Sequence, residues 1–252
     1  MNHFLIKDVT PDNAAEVGYF CIKDTKAPGF KSKLNWHKQR YKEGLRIKFL
    51  YADDKQIGFI EYVPSEFAWR PIEADNYLFI QCIFIYPNKY RSLGAASVLI
   101  NEVLKDAKQL KRTGVCTMTS QGPWMATKKL FSKLGFEKVD KRGRFELMSL
   151  KLGNDKIKPK LLDWESKLSE YQGWHLLYAD QCPWHEKAIK VLKDTAKVHG
   201  ISLNIKRIET PDEAKQSPSG FGVFSLIKDG RLIEDHYISK RRFETILEKE
   251  LN

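Results

Sequence analysis

The 252-residue sequence is poor in cysteine. Cys21, Cys82, Cys116 and Cys182 stand far apart, with no Cys-x-x-Cys pair and no spacing that joins a thiol to a histidine pair as a metal site. A disulfide framework and a zinc module are therefore not expected, and no metal is assigned; reduced thiols are. No stretch approaches the roughly 20 consecutive apolar residues that span a bilayer. Lys7 and Asp8 stand where a signal peptide would need its apolar run, so a cytoplasmic protein with no membrane partner is expected. Internal repeats and low-complexity tracts are missing too. The formal net charge of +11 is not gathered into a stripe: lysines and arginines lie among acids, as at Lys138, Asp140 and Lys141. That pattern reads as a solvated basic surface and argues against a nucleic-acid partner.

What is present is the composition of a globular protein, 42% hydrophobic and 30% charged, long enough for two modest cores or one large one. Residues 4–9 read as a strand, followed by a helix capped at Asp12 or Asn13 and running to Cys21. Residues 46–52, 56–62 and 77–85 read as strands, the first two joined by a hairpin turn at Asp53, Asp54 and Lys55. Val98, Leu99, Val103, Leu104 and Ala107 recur at helical spacing. A buried strand at 115–119, a helix over 125–134 stopped by Gly135, and a strand over 145–150 complete this part. Between 151 and 173 the composition turns to Gly153, Asn154, Pro159 and many lysines, with Leu161, Leu162, Trp164 and Leu168 spaced for a connecting helix. Beyond it, strands at 174–178, 202–207, 222–228 and 231–236 and helices at 186–199 and 241–250 form a compact second domain.

The strand ending in Ile83, Phe84 and Ile85 passes through Arg91, Ser92, Leu93, Gly94, Ala95 and Ala96 into the helix. Gly94 lets a ligand approach the backbone, the alanines leave the helix start unobstructed, and the first-turn amides point at an anion with the helix dipole behind them. A phosphate group suits such a turn, and so does plain tight packing. The spacing Arg91-x-x-Gly94-x-Ala96, followed in order by Leu130-Phe131-Ser132-Lys133-Leu134-Gly135-Phe136, resembles the acetyl-CoA and later motifs of the GNAT N-acetyltransferase superfamily. The resemblance covers residues 1–150 and implies an α/β (α+β) fold on a mixed central sheet. It implies acetyl-CoA as co-substrate and direct acetyl transfer, in a ternary complex, to the amine of a small molecule or peptide. It also implies that the amides of Arg91 to Ala96 hold the pyrophosphate, that the backbone of Ile83, Phe84 and Ile85 pairs with the pantetheine arm, and that an amide there serves as oxyanion donor. The family often has a tyrosine four residues before the motif glycine, donating a proton to the thiolate; Phe131 stands there, leaving Tyr62, Tyr77 or solvent. Residues 60–70 lie where the family lines its acceptor cleft: Glu61 or Glu66 as base, Trp69 and Arg70 as pocket walls. His37, on an amphipathic segment at 31–41, is given no role.

In the second domain, residues 174–252, Cys182-Pro183-Trp184-His185 follows an apolar strand at the start of a helix, a place that lowers a thiol's pKa. The turn resembles the active-site turn of thioredoxin-like folds, with His185 where the second cysteine would stand and Gly222 near the usual cis-proline. Intramolecular dithiol exchange is thereby excluded, while a thiol-linked or docking role for Cys182 stays open beside a non-catalytic acetyl-CoA-binding reading. The whole arrangement is similar to bacterial acetyltransferases carrying a YoaP-type C-terminal domain.

Overall fold

The computed structural model describes residues 4–153 and 157–251 and divides the chain into two compact units. The first takes residues through Phe20, His37–Ala68 and Ile72–Leu162; the second takes Cys21–Trp36, Trp69–Pro71 and the chain from Asp163.

Strand β1 (Phe4–Val9) and helix α1 (Ala14–Val17) open the first unit. The helix expected to reach Cys21 stops at Val17, because Gly18 turns the chain at φ 71° and its N–H closes the last turn on the Ala14 carbonyl. Helix α2 (Pro28–Lys42) is divided between the units, from His37 on counting with the first. Then come β2 (Arg46–Ala52), β3 (Lys55–Pro64), β4 (Ile72–Glu73), β5 (Tyr77–Ile85), α3 (Lys89–Ser92), α4 (Ala95–Gln109), β6 (Gly114–Ser120), α5 (Lys128–Ser132), β7 (Glu137–Arg142), β8 (Phe145–Lys151) and β9 (Lys160–Leu161). Asp53 and Asp54, at φ 48° and 60°, make the expected hairpin turn, since two left-handed central residues match the twist of the strands they join.

Seven strands form one sheet in the order β1-β2-β3-β5-β6-β8-β7, all neighbours antiparallel except β5 and β6. One face is covered by α4, whose Ala95, Ala96, Leu99, Ile100, Val103 and Ala107 turn inward at helical spacing onto Ile60, Tyr62, Leu78, Ile80 and Ile85. Full burial of a side chain the size of Leu99 or Ile100 contributes about 1.5–3 kcal/mol, so this seam is a principal source of the unit's stability. One charged network lies beside it. Lys48, 7% exposed, reaches Asp8 at 3.3 Å, Glu102 at 3.3 Å and Asp106 at 3.4 Å, and the Tyr62 hydroxyl donates to the same Asp106.

Two local expectations are corrected. The helix expected over 125–134 is only α5, and the connecting helix expected around Leu161, Leu162, Trp164 and Leu168 is the short strand β9 followed by a 3₁₀ turn, Glu165–Glu170. Leu161 N–H donates to the distant Asp140 on β7, while Asp163 accepts from Glu165 and Ser166 N–H, so aspartate side chains take amides a helix would need.

The second unit holds β10 (Trp174–Tyr178), α6 (Trp184–Val198), β11 (Leu203–Arg207), α7 (Pro211–Lys215), β12 (Phe224–Lys228), β13 (Arg231–Glu234) and α8 (Lys240–Leu251). Its sheet runs β11-β10-β12-β13, with a parallel first pair and an antiparallel hairpin turning at Asp229 and Gly230. Among the described residues no helix is long and apolar enough to cross a membrane.

Candidate active site

On β5 the ladder to β6 runs from Tyr77↔Gly114 to Ile80↔Thr117 and stops, while the ladder to β3 continues to Ile85↔Gly58. Beyond Ile80 the ladder to β6 does not continue among the described residues, the kind of strand edge to which an extended ligand can add. The parting coincides with a β-bulge: Tyr62 pairs with Ile80 and Glu61 with Cys82, leaving Gln81 as the extra residue. A bulge kinks and twists the strand that carries it, which gives the separation a local cause. Ile83, Phe84 and Ile85 all lie on this parted stretch.

Chain from β5 enters α4 through α3, a turn not expected from the sequence. Arg91 is on α3; its Nε donates to the Ile85 carbonyl at 3.1 Å and its guanidinium lies 5.6 Å from the Phe84 ring centre, so the side chain ties the turn to the parted strand. Gly94 caps α4 at φ 80°, and a Cβ built there meets nothing within 4 Å. The residue is glycine for its left-handed backbone rather than for packing, and the space beside it is open. Val98 N–H is the first of α4 to bond back, to the Gly94 carbonyl at 3.2 Å. The amides ahead of it point out along the axis into that space, at the positive end of a 15-residue helix. The donor set of Gly94, Ala95 and Ala96 thus fits a pyrophosphate.

The other face of the sheet carries the acceptor-side candidates. Glu61, 2% exposed, accepts from Gln81 Nε2 at 3.3 Å. Tyr19, on the chain leaving α1, shares a 2.9 Å hydrogen bond with His37 Nδ1 on α2, and His37 stands edge-on to Tyr41. Burial, with the Glu61 carboxylate adding to it, pushes the Tyr19 phenol well up and keeps it protonated. Phe20 packs on Phe59 and Phe84, an opposed cross-strand pair, with ring centres 5.4 and 5.9 Å away. The sequence reading gave His37 no role and did not single out Tyr19 or Gln81. A lone histidine on an amphipathic helix and a glutamine inside an apolar strand carry no pattern that marks them.

The remaining candidates lie elsewhere. Glu66 binds Arg112 Nη1 at 2.8 Å and accepts from Asn76 N–H, next to the start of β5 and about 20 Å of strand from Ile83. Tyr77, at that same start, donates its hydroxyl to the Ile157 carbonyl at 3.2 Å. Tyr62 points to the α4 face, where burial and then its bond to Asp106 push its phenol far up, a poor acid for a thiolate. Phe131 is fully buried edge-on against Phe136, 5.4 Å between centres. The structure thus brings Glu61 to the parted strand, turns Tyr62 beside it to the α4 face, and keeps Glu66 and Tyr77 at the far end of β5.

Trp69 and Arg70 belong to the second unit. Arg70 Nη1 donates to Gln181 Oε1 at 3.2 Å and its guanidinium lies 4.9 Å from the Phe221 ring centre; Trp69 meets Trp36 edge-on. Gly222, at φ 77°, stands where a Cβ would come within 2.7 Å of the Trp69 carbonyl. These two residues therefore pack beside the Cys182 turn. No disulfide joins the four cysteines. His185, at the second-cysteine position, is buried against Phe224, and its Nδ1–H donates to the Ala179 carbonyl at 2.7 Å. Burial, reinforced by the fields of Arg70 and Lys33, pushes its pKa down to about 4. A histidine depressed from 6.5 stabilises the fold above its unfolded value and loses that contribution as pH falls toward 4, about 3 kcal/mol in all. Thermal melts of the whole chain from pH 7 to 4 are expected to show a fall that His185→Phe flattens.

A family model described as the acetyltransferase (GNAT) family matches residues 15–136, and one described as YoaP-like matches residues 202–245. Residues 15–136 thus carry the likeness to GNAT-family acetyltransferases, and residues 202–245 the likeness to the YoaP-like family. The chain is similar to YoaP of Bacillus subtilis, an uncharacterized N-acetyltransferase, with 28% identity over 246 residues spanning 95% of this chain and 97% of that protein. Solved structures with a likeness to it include the PaiA N-acetyltransferase of Thermoplasma acidophilum in complex with coenzyme A (16% identity, 60% of this chain, 99% of that one, TM-score 0.41). Another is the ribosomal-protein-alanine N-acetyltransferase of Brucella melitensis (17% identity, 59% and 99%, TM-score 0.42). Among the described residues no group of three or more His, Cys, Asp or Glu is placed to hold a metal.

Proposed function

We propose that this chain transfers the acetyl group of acetyl-CoA directly to an amine, both substrates being bound together. The observation that carries it is the ending of the β5–β6 ladder at Ile80↔Thr117, one residue before the Gln81 bulge and beside the helix N-terminus opened by Gly94. In this reading the amides of Gly94, Ala95 and Ala96 hold the pyrophosphate, the Arg91 N–H being taken by the Asn88 carbonyl, and the parted backbone of Ile83, Phe84 and Ile85 pairs with the pantetheine arm. One N–H of that stretch faces the thioester oxygen as it becomes an oxyanion. The amine nitrogen attacks the thioester carbonyl, its proton passes to Glu61 through water, the carbon–sulfur bond breaks, and the thiolate takes a proton from water.

Calorimetry is expected to give saturable 1:1 binding of acetyl-CoA. Initial rates of coenzyme A release with acetyl-CoA and an accepted amine varied together should give intersecting double-reciprocal lines. Parallel lines would mean an acetylated enzyme, Cys182 being the first thiol to examine, and would end the direct-transfer reading.

A further inference from the structure

Glu61 and Phe59 stand two residues apart on one face of β3, opposite Cys82 and Phe84 on β5, so a carboxylate and an aromatic platform lie about 7 Å apart beside the parted strand. The two ends of this stretch differ in kind. At the Glu61 end the groups are polar and buried: the carboxylate, the Gln81 amide that holds it, and the Tyr19 hydroxyl within its field. At the other end they are rings, and Phe84 is 43% exposed although Phe20 and Phe59 pack beside it. An aromatic that keeps open surface next to a ligand-binding strand is suited to a flat apolar partner, by stacking and by loss of apolar area to water.

Resting on the acetyl-transfer reading above, we propose that the acceptor is a primary amine joined by a short alkyl link to an aromatic or similarly bulky apolar group, its nitrogen at Glu61 and its ring on Phe84. The 7 Å offset matches a two- or three-carbon link. A carboxylate next to the amine, as in a free amino acid, would be brought against Glu61 in a site of low dielectric and is selected against.

The test uses the whole chain and reads coenzyme A thiol release from acetyl-CoA with phenethylamine, tryptamine, ethylamine, phenylalanine, glutamate and spermidine, after calorimetric measurement of acetyl-CoA binding. Phenethylamine and tryptamine are expected to exceed ethylamine in kcat/KM by about 30-fold, the discrimination an apolar pocket supplies, with phenylalanine and glutamate lower still. In Phe84→Ala the ratio of phenethylamine to ethylamine should shrink to within about threefold; acetyl-CoA affinity cancels from that ratio, so a change in co-substrate binding cannot mimic it. Preference for phenylalanine, glutamate or spermidine, equal use of ethylamine, or no acceleration by any amine while acetyl-CoA binds would each overturn the acceptor class. Failure to bind acetyl-CoA would instead remove the reading beneath it.

Discussion

Gly94→Glu is expected to weaken acetyl-CoA binding by about 100-fold or more, some 2.7 kcal/mol. The left-handed backbone at φ 80° costs any side chain on the order of 1 kcal/mol, and this part is shared by every substitution. The rest is electrostatic: a carboxylate in the open space beside the first-turn amides would oppose the pyrophosphate they are proposed to hold, worth about 3 kcal/mol near a surface at 5 Å. Gly94→Ala separates the two contributions, because its Cβ meets no atom within 4 Å. Its melting temperature should drop slightly while affinity stays within a fewfold of the parent. Equal affinities for the two variants in calorimetry would show that no anion sits at the start of α4.

Lys48→Met is expected to cost about 3–5 kcal/mol of stability, a fall of roughly 10 °C in the unfolding midpoint. The ammonium is the shared partner of Asp8, Glu102 and Asp106; without it the last two, one turn apart on α4 and largely covered, face each other across a low dielectric. Burial alone would lower the pKa of Lys48, but Asp106, Asp8 and Glu102 together outweigh it and hold it above its ordinary 10.5. The sign follows: the network is at full strength below pH 10.5 and is lost as pH rises through the higher folded value. Differential scanning calorimetry from pH 8 to 12 should show the parent losing stability at the alkaline end and Lys48→Met nearly flat. A variant that melts with the parent at pH 8 would mean that the three carboxylates do not depend on this lysine.

Much of the first unit could be read in advance where one period governs a segment. The spacing of Leu99, Val103 and Ala107 demands one buried stripe, and Asp53-Asp54 between two β-rich runs has little alternative to a hairpin turn. The glycine opening α4 was legible for the same reason, since a strand, a small-residue turn and a helix are local. Gln81 was not legible, because residues 77–85 are apolar at nearly every position and two alternations fit them equally well. Glu66, Trp69 and Arg70 fall in the right stretch of sequence but are claimed by distant partners, Arg112 in one case and Gln181 and Phe221 in the other. Leu161 to Leu168 went wrong for a smaller reason: the side chains of Asp163, within the stretch, and of Asp140, on β7, take amides that a two-turn helix would need.

The extra residue at Gln81 also changes which numbers point where. Before it, even-numbered Leu78 and Ile80 turn to α4; after it, odd-numbered Ile83 and Ile85 do, and Phe84 is released to the opposite side with Glu61. The strand carries a phase change: were it straightened with every residue kept, Phe84 would turn to the core side and Ile83 to the acceptor side, whereas deletion of Gln81 would leave plain alternation with both facings as they are. The bulge therefore sets the chemistry of both walls at once, and a one-residue deletion between Ile83 and Ile85 should be far less tolerated than deletion of Gln81 itself.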